Sequence, residues 1–367
     1  MNQKPCIVYD SQIFDYQRFG GISRYFCEII SRIHMNYDIA VRYSNNYYLN
    51  DTKLGKHRIP LPRFLYKHYE QKIWHKNQKL AKQLLQSYPN CLLHATYYEP
   101  YFLNFIESTP YVITVHDMTY EKFPQLFSES EHVIKQKKEV ITRANRIIAI
   151  SENTKKDIIE LLHVKPEKID VIYHGTSMHI HKRQPSLRLP KRFILFVGSR
   201  CSYKNFNRFL NAFALVSHND KELFAICTGV PFNPDEEQRI KKLNLKNRIL
   251  QFNVSDKQLE ELYSQALLFV YPSLYEGFGI PILEAYACHC PVALSRASCF
   301  PEIANEAAIY FDPYSEEDMA RAIKKVIYNE NQRILLIEKG KERLKLYSWE
   351  KATEQTEQTY QKVLQYY

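Results

Sequence analysis

Glycine is scarce in this chain of 367 residues. It occurs nine times, about a third of the ~7% share that is usual in soluble proteins. Long apolar runs are lacking as well, because no stretch approaches the ~18–20 residues of a membrane span. Residues 1–20 do not show the basic start and apolar run of a signal peptide. We therefore expect a protein that stays on the cytoplasmic side.

Disulfide and metal-binding patterns are also lacking. The eight cysteines include no Cys-x-x-Cys pair, and a chain of this length needs no disulfides, so we expect reduced and mostly buried thiols. Cys288-His289-Cys290 has no second ligand pair at zinc spacing, which favours a buried turn. The Walker and Gly-x-Gly-x-x-Gly strings and the Asp-x-Asp pair are absent too. The sequence predicts no bound metal and no cofactor.

Positive charge is concentrated in the first half of the chain. The formal net charge is +10, and residues 1–185 hold 26 lysines and arginines against 18 acidic residues. Residues 51–90 carry nine of these cations, interleaved with Phe64, Tyr66, Tyr69 and Trp74. Such a segment suits an anionic surface, either lipid or nucleic acid, and equally suits a solvated basic helix face. No motif that reads DNA or RNA accompanies it, which argues against nucleic acid.

Short runs rich in β-branched and aromatic residues alternate with segments of helical period. Strand-like runs cover 6–10, 91–96, 111–117, 146–151, 169–175, 193–198, 223–229, 248–253, 267–273, 291–295 and 307–312. Helical segments follow Ile22 and lie near 128–144, 152–163, 206–217, 256–266, 281–288 and 316–346. This alternation is typical of parallel sheets wrapped by helices. We predict an α/β fold with two doubly wound, Rossmann-like domains that face each other across a cleft.

The pattern breaks at residues 181–192, which hold two prolines and five lysines and arginines without apolar periodicity. The expected organisation is therefore an N-terminal domain over 1–182, a linker over 183–192 and a C-terminal domain over 193–346. A final helix over 347–367 is expected to pack back on the N-terminal domain.

Six of the nine glycines lie at junctions between strands and helices. These are Gly20, Gly21, Gly175, Gly198, Gly277 and Gly279. Helix N-termini reached through such loops present free backbone N–H groups and bind phosphate. After Gly198, Arg200 and Lys204 lie between a strand and a helix whose N-cap we expect at Asn205. Their charges can meet a diphosphate there, although two surface cations are more often ordinary salt-bridge partners.

The segment YEGFGIPILEAYA (275–287) is the most specific in the chain. Pro281 suits the first helical position, which places Glu276 in the glycine loop and Glu284 in the first turn of the helix. An ionised carboxylate only accepts hydrogen bonds, so it suits the vicinal hydroxyls of a sugar or ribose. For Glu284 the alternative is a plain electrostatic role at the start of the helix.

Together these segments resemble the retaining glycosyltransferases of family 4, which have the two-domain GT-B fold. The resemblance rests on the spacing Glu276-x7-Glu284, with GSRCSYKN before it and CPVALSRASCFPE after it. It extends to FGGISRYF (19–26), His116-Asp117, ANRIIAISENTKKDI (144–158) and VIYHG (171–175). It covers nearly the whole chain and implies a hexosyltransferase that uses a nucleotide-diphosphate sugar, retains the anomeric configuration and requires no metal.

The resemblance also implies roles for particular residues. Arg200 and Lys204 would neutralise the diphosphate, Glu276 and the backbone of Gly277, Phe278, Gly279 and Ile280 would hold the donor sugar, and Glu284 would hold the ribose. From the first domain, Gly21 would approach the phosphates or the acceptor, and His116 would reach the donor sugar or its phosphate. His116 and Glu276 are thus the expected catalytic residues. A histidine at a strand end is otherwise more often structural.

The chain departs from the family pattern at three positions. Asn253 and His289 stand where the family often has glycine, and Ser199 stands in place of the glycine in a Gly-Arg pair. The first two positions change loop shape near the base and the acceptor, so they bear on the choice of nucleotide.

The expected function is transfer of a hexosyl residue to a glycan or a polyprenyl-diphosphate-linked glycan in the synthesis of a surface polysaccharide. GDP-mannose is preferred over UDP-sugars because the FGGISRYF segment resembles several mannosyltransferases. The basic segment would dock on an anionic membrane surface through Arg63, Lys67, Lys72, Trp74 and Lys76. One alternative is another GT-B enzyme, a sugar-nucleotide epimerase or a glycan phosphorylase, although no lysine context for pyridoxal phosphate is visible. The other is a basic nucleic-acid-binding protein.

Overall fold

The chain folds into two units, each built around one parallel sheet. The first unit comprises Met1–His174 together with Trp349–Tyr367, and the second comprises Gly175–Ser348. The computed structural model describes residues 6–56, 58–88, 90–181 and 186–366. Within these residues, every pairing between adjacent strands of the two large sheets is parallel. The predicted fold class is confirmed in this respect.

The first unit contains a six-stranded sheet. Its strands, in spatial order, are Asn36–Ile39, Cys6–Tyr9, Cys91–Ala95, Tyr111–Val115, Arg146–Ala149 and Ile169–Val171. Its α-helices are Gln12–Tyr16, Gly21–Ile30, Tyr47–Asp51, Arg63–Ser87, Thr119–Lys122, Ser130–Arg143, Glu152–Leu162 and Trp349–Leu364. Two short strands, Tyr43–Ser44 and Ile59–Pro60, form a separate parallel pair. The order of the large sheet reverses between Cys6–Tyr9 and Cys91–Ala95, which are neighbours.

The second unit contains the other six-stranded sheet. Its strands, in spatial order, are Ile249–Phe252, Phe224–Thr228, Phe193–Phe196, Leu268–Tyr271, Val292–Ser295 and Ala308–Phe311. Its α-helices are Phe206–Ser217, Pro234–Lys242, Asp256–Gln265, Ile280–Ala287, Phe300–Ala304, Glu316–Ile327 and Glu330–Leu344. Here the order reverses between Phe193–Phe196 and Leu268–Tyr271, which pair directly. Ligands of open parallel sheets bind at the carboxyl ends of strands beside such a reversal.

The terminal helix Trp349–Leu364 is part of the core of the first unit. Trp349 and Tyr360 are buried in the same apolar cluster as Phe26. The Tyr360 hydroxyl lies 3.0 Å from the hydroxyl of Tyr9 and 2.6 Å from Nδ1 of His94. The last helix of the chain therefore packs on the sheet that contains the first strand.

The predicted boundary between the domains lies inside the second unit. The chain passes to the second unit at Gly175 rather than after 182. Residues on both sides of position 182 bind side chains of the second unit. The Nδ1 of His181 lies 2.8 Å from Glu260, and the amide of Ser186 donates to Glu261. Periodicity along the chain cannot reveal such side-chain pairing. Residues 183–185 of the predicted linker lie outside the described residues.

Several elements escaped the sequence analysis, and one predicted helix is two helices. Among the unassigned elements, the strand Asn36–Ile39 and the helices Arg63–Ser87 and Pro234–Lys242 have weak apolar periodicity. The expected helix over 316–346 ends at Ile327, and a second helix begins at Glu330. The side chain of Asn329 caps that second helix by accepting a hydrogen bond from the amide of Gln332.

The cysteines agree with the sequence analysis. All eight are free, seven of them are buried, and Cys201 is exposed. Among the described residues, no helix combines the length and apolar character that crossing a lipid bilayer requires.

A substitution at Gly340 tests the packing of the second unit. A Cβ at this position would lie 2.6 Å from Cδ1 of Tyr286, whose hydroxyl is held by the carbonyl of Ala307. Alanine favours helix by about 1 kcal/mol, yet we expect Gly340→Ala to lower the free energy of unfolding by about 1–3 kcal/mol through overpacking. Denaturant unfolding measures this. Asn331→Ala, at an exposed position of the same helix, should change it by less than about 0.5 kcal/mol. A stabilised Gly340→Ala protein would contradict the packing.

The pH dependence of stability tests the burial of His94. Burial lowers the pKa of His94 to about 3, whereas an unfolded histidine titrates near 6.5. Between these values only the unfolded state binds the proton, so stability falls as the pH drops from about 6.5 toward 3, by up to about 1.4 kcal/mol per pH unit. Urea unfolding at pH 7.5, 6 and 5 should show a smaller loss for His94→Gln than for the wild type. Equal losses in the two proteins would show that His94 is not a buried neutral group.

Candidate active site

The charged candidate residues of the second unit lie at the point where the strand order of its sheet reverses. The strand Phe193–Phe196 leads to the loop with Arg200 and Lys204, and the neighbouring strand Leu268–Tyr271 leads to the loop with Glu276. Parallel strands place both loops at the same edge of the sheet. The fold thus brings together groups that are about 70 residues apart in sequence.

Lys204 and Glu276 form an ion pair at this edge. The Nζ of Lys204 lies 2.5 Å from Oε1 of Glu276, and their side chains are 15% and 13% exposed. The amide of Glu276 donates to Oγ of Ser298 at 3.0 Å, which holds the backbone of the glycine loop. A largely desolvated cation beside a carboxylate can bind an anionic group and a hydroxyl group next to each other.

Arg200 binds a neighbouring loop in this structure. Its Nε donates to Oε1 of Glu236 at 2.8 Å, and its Nη2 donates to the carbonyls of Val230 and Pro231 at 2.8 and 3.0 Å. The side chain is only 4% exposed, and the guanidinium lies 4.9 Å from the ring centre of Phe232. Sequence analysis missed Glu236, because no spacing links this residue of an unassigned helix to Arg200.

Asn205 does not cap the following helix through its side chain, contrary to the prediction. Its backbone is left-handed, with a φ of 61°, and no side-chain cap bond forms. Instead its Nδ2 donates to the carbonyls of Pro272 and Pro313 at 3.0 and 2.7 Å. Asparagine tolerates this backbone conformation well. The buried amide therefore ties the residue after Lys204 to the ends of two strands.

The glycine loop and Glu284 are arranged differently from the prediction in one respect. The helix begins at Ile280, so Pro281 is its second residue and Glu284 lies in its second turn rather than its first. Glu284 is buried, and the hydroxyl of Tyr263 donates to its Oε2 at 3.3 Å. Gly279 has a φ of +91°, and a Cβ there would lie 3.1 Å from Phe300. Glycine is thus required at this turn into the helix.

The first unit carries Gly21 and His116. Gly21 is the first residue of the helix Gly21–Ile30, and a Cβ placed on it would meet nothing within 4 Å. Open space therefore borders this helix N-terminus. The ring of His116 packs edge-on against Tyr25 of the same helix, with the ring centres 5.1 Å apart.

His116 is buried at the end of the strand Tyr111–Val115. Burial, with smaller contributions from His94 and Lys137, lowers its pKa to about 3, so the imidazole is neutral at neutral pH. Among the described residues its Nε2 finds no hydrogen-bond partner. A neutral ring can donate or accept one hydrogen bond there, but it cannot supply a positive charge.

A buried lysine that the sequence analysis missed supports the loop after His116. Lys137 is 1% exposed and donates to the carbonyl of Asp117 and to Oε2 of Glu121, both at 2.9 Å. A lysine is rarely buried unless it is paired in this way. Nothing in the helical pattern of this segment distinguishes Lys137 from its exposed neighbours.

The cations predicted to contact a membrane lie on one long helix of the first unit. Arg63, Lys67, Lys72 and Lys76 are exposed on the helix Arg63–Ser87, and Trp74 is half-buried. The helix is kinked at Tyr69. Asp15 anchors it by accepting hydrogen bonds from Tyr66 and Asn77. The hydrogen bonds to Asp15 thus fix this basic helix, while its cationic side chains are exposed to solvent.

Two family models match the chain over nearly its whole length. The model described as Glycosyltransferase Family 4 matches residues 19–179, and the model described as Glycosyl transferases group 1 matches residues 177–343. Each corresponds closely to one of the two units. Both support the sequence resemblance.

Curated relatives extend over most of the chain. The O-antigen chain mannosyltransferase RfbU of Salmonella typhimurium is 28% identical over 309 residues, which cover 81% of this chain and 80% of the relative. The O-antigen chain mannosyltransferase B of Escherichia coli is 27% identical over 264 residues, which cover 68% of this chain and 69% of the relative.

Solved structures share the fold of the whole chain. A sucrose-phosphate synthase from Thermosynechococcus elongatus superposes with a TM-score of 0.78 at 19% identity and covers all of both chains. The Anabaena protein HepE in complex with UDP and glucose gives a TM-score of 0.76 at 18% identity, covering 98% of this chain and all of the other. The expected GT-B fold is confirmed, and with both family models matched, this chain is a hexosyltransferase that belongs to the family 4 type of glycosyltransferases.

Proposed function

We propose that this glycosyltransferase transfers a mannosyl residue from GDP-mannose to a growing glycan or a lipid-linked glycan in the synthesis of a surface polysaccharide. The ion pair between Lys204 and Glu276 at the reversal of the second sheet carries the proposal. The names of two curated relatives, both O-antigen chain mannosyltransferases, support mannose as the sugar and a polysaccharide as the product.

In this proposal Lys204 stabilises the diphosphate as it leaves. Negative charge builds on the leaving group as the bond to the sugar breaks, and a fixed cation in a partly desolvated site lowers the energy of that state. The ion pair holds Lys204 in place before the donor binds. Arg200 supplies a second positive charge once its guanidinium turns from Glu236 toward the diphosphate. Catalysis then proceeds without a metal ion.

Glu276 accepts hydrogen bonds from hydroxyls of the donor sugar while Lys204 remains beside it. The buried Glu284 accepts from the ribose hydroxyls, and the backbone of 277–280 lines the sugar. On the first unit, Nε2 of the neutral His116, which has no hydrogen-bond partner among the described residues, is the proposed contact for a sugar hydroxyl. A neutral donor suits a sugar hydroxyl, since its hydrogen bond does not depend on pH above about 3.

The anomeric configuration is retained by attack on the same face. The acceptor hydroxyl approaches the side from which the diphosphate departs, and a phosphate oxygen of the leaving group takes the acceptor's proton. The bond from the anomeric carbon to the diphosphate breaks as the bond to the acceptor oxygen forms. An α-linked donor therefore yields an α-linked product.

The enzyme works at the cytoplasmic face of a membrane. The basic helix Arg63–Ser87 lies on anionic lipid through Arg63, Lys67, Lys72 and Lys76, and Trp74 sits near the interface. Each such cation contributes about 1 kcal/mol to binding at an anionic lipid surface. Membrane attachment would bring the enzyme to a lipid-linked acceptor.

Substitution of the two charged residues tests the donor site. We expect GDP to raise the melting temperature of the wild type but not of Lys204→Ala, and we expect Lys204→Ala to lose roughly 100-fold or more in kcat/KM. Glu276→Gln should keep the shift with GDP and lose turnover with GDP-mannose, because its role is toward the sugar. Lys341→Ala breaks an ion pair with Glu338 elsewhere in the same unit and should change neither quantity.

The products of the same reaction test the mechanism and the donor. NMR should show an α-mannosyl linkage, and a β linkage would refute retention. A stronger thermal shift and faster transfer with UDP-sugars would refute GDP-mannose as the donor. Isomerisation of the nucleotide sugar without an acceptor would identify an epimerase instead.

Liposome sedimentation tests the basic helix. Reversing three charges together, Lys67→Glu, Lys72→Glu and Lys76→Glu, should weaken binding to anionic vesicles about 100-fold, while neutral vesicles bind neither protein. The matched control reverses three exposed lysines of the second unit, Lys221, Lys246 and Lys257, with the same change in net charge. Equal sedimentation of the two triple variants would remove the basic helix from the proposal.

A further inference from the structure

We propose that an aromatic platform on the first unit, formed by Tyr16, Phe19, Tyr47 and Tyr97, binds sugar rings of the glycan acceptor by stacking. This inference rests on the proposed function, because it names the surface that holds the acceptor chain. The platform shares no residue with the ion pair of the second unit or with the basic helix, although Asp15, which anchors that helix, directly precedes Tyr16.

The rings form two contacting pairs at the surface. Phe19 and Tyr47 have ring centres 5.0 Å apart with planes 28° from parallel, and the ring centres of Tyr16 and Tyr97 are 5.2 Å apart. Tyr16, Phe19 and Tyr47 are 56%, 54% and 47% exposed. Exposed aromatic residues that occur singly need no explanation, whereas a group of them marks a binding surface. Phe19 is the third residue after Tyr16, so their Cα atoms lie within about 11 Å.

The loop that carries Phe19 is fixed by hydrogen bonds. Asn46 donates through Nδ2 to the carbonyl of Gln17 at 2.5 Å, and the amide of Tyr47 donates to the carbonyl of Arg18 at 2.9 Å. The amide of Ser23 donates to the side-chain oxygen of Gln17 at 3.1 Å. The exposed rings are thus held in position before any ligand arrives. Such preorganisation reduces the entropy that binding would otherwise lose.

The platform lies at the reversal of the first sheet. Tyr16 ends the helix that follows the strand Cys6–Tyr9, and Tyr97 follows the strand Cys91–Ala95. These two strands are the neighbours between which the order of the sheet reverses, the place where open parallel sheets bind ligands. Phe19 lies two residues before Gly21, beside which space is open. The platform therefore lies next to the helix N-terminus already identified on this unit.

Polar groups around the rings favour a saccharide over lipid as the occupant. Burial and the neighbouring carboxylate of Glu99 raise the pKa of Tyr16 to about 12, which places Glu99 beside this ring. Gln136 holds the Glu99 carboxylate by donating to its Oε2 at 2.8 Å. The guanidinium of Arg18 lies 4.9 Å from the ring centre of Phe19. A pyranose presents C–H groups on its faces and hydroxyls around its edge. Flat rings bordered by a carboxylate and a guanidinium match both features.

Binding of oligosaccharides without any donor tests the platform. Calorimetry and saturation-transfer NMR would use a linear α-linked mannotetraose, with maltotetraose as a second probe. We expect the wild type to bind at least one, and Tyr47→Ala to raise the dissociation constant about tenfold. Tyr47→Phe keeps the ring and should bind within twofold of the wild type, whereas Tyr47→Leu should be as weak as Tyr47→Ala. Tyr366→Ala, which removes an exposed aromatic residue elsewhere on this unit, should have no effect.

The readouts separate this inference from the proposed function. If the protein binds oligosaccharides through Tyr47 but no GDP or GDP-mannose, the platform stands and the proposed donor is wrong. If GDP binds normally and the wild type binds neither tetrasaccharide, or Tyr47→Ala binds them as the wild type does, the platform is refuted. A Tyr47→Leu protein that binds saccharides like the wild type would show that ring stacking is not the interaction. Weaker sedimentation of Tyr47→Ala with vesicles, with unchanged saccharide binding, would make the surface a membrane contact and also overturn the inference.

Discussion

The position of the site in the second unit depends on two parallel strands that run side by side. Because Phe193–Phe196 pairs with Leu268–Tyr271, the loops after them start from adjacent points. The amide of Asn205 then joins these loops by binding the carbonyls of Pro272 and Pro313. Only with this contact in place does the short ion pair of Lys204 and Glu276 have a defined geometry. A buried amide with both of its hydrogens bound is a specific constraint, since leaving them unpaired would cost about 1–3 kcal/mol.

The corresponding edge of the sheet in the first unit carries different chemical groups. Its edge is built from aromatic and neutral groups: the buried imidazole of His116, the open helix start at Gly21 and the exposed rings around Phe19. Its buried charge is used for support, because Lys137 and Glu121 hold the loop after His116 from below. An ion pair at the edge of the second unit and mainly aromatic rings at the edge of the first suit different ligand chemistries.

Charge pairing also explains why two cationic side chains of one loop have different environments. Arg200 and Lys204 are four residues apart, yet one is bound to Glu236 and the carbonyls of another loop, while the other meets Glu276. The arginine has a planar group with five donors and can bind several acceptors at once, whereas the lysine carries a compact charge. In this structure Arg200 shapes the loop, and Lys204 is the cation placed beside the carboxylate of Glu276.

The sequence by itself determined the strand–helix alternation, the two sheets and the segments that carry Lys204, Glu276 and His116, and its resemblance to family 4 implied the GT-B fold. The alternation follows from local properties, because apolar periodicity, glycine and proline act within a few residues. Tertiary structure alone decided that Glu236 binds Arg200, that Asn205 joins two loops and that Lys137 supports His116. It also decided that the segment after Gly175 belongs to the second unit. Each of these depends on side chains that meet from distant parts of the chain, and residue spacing carries no record of such pairs.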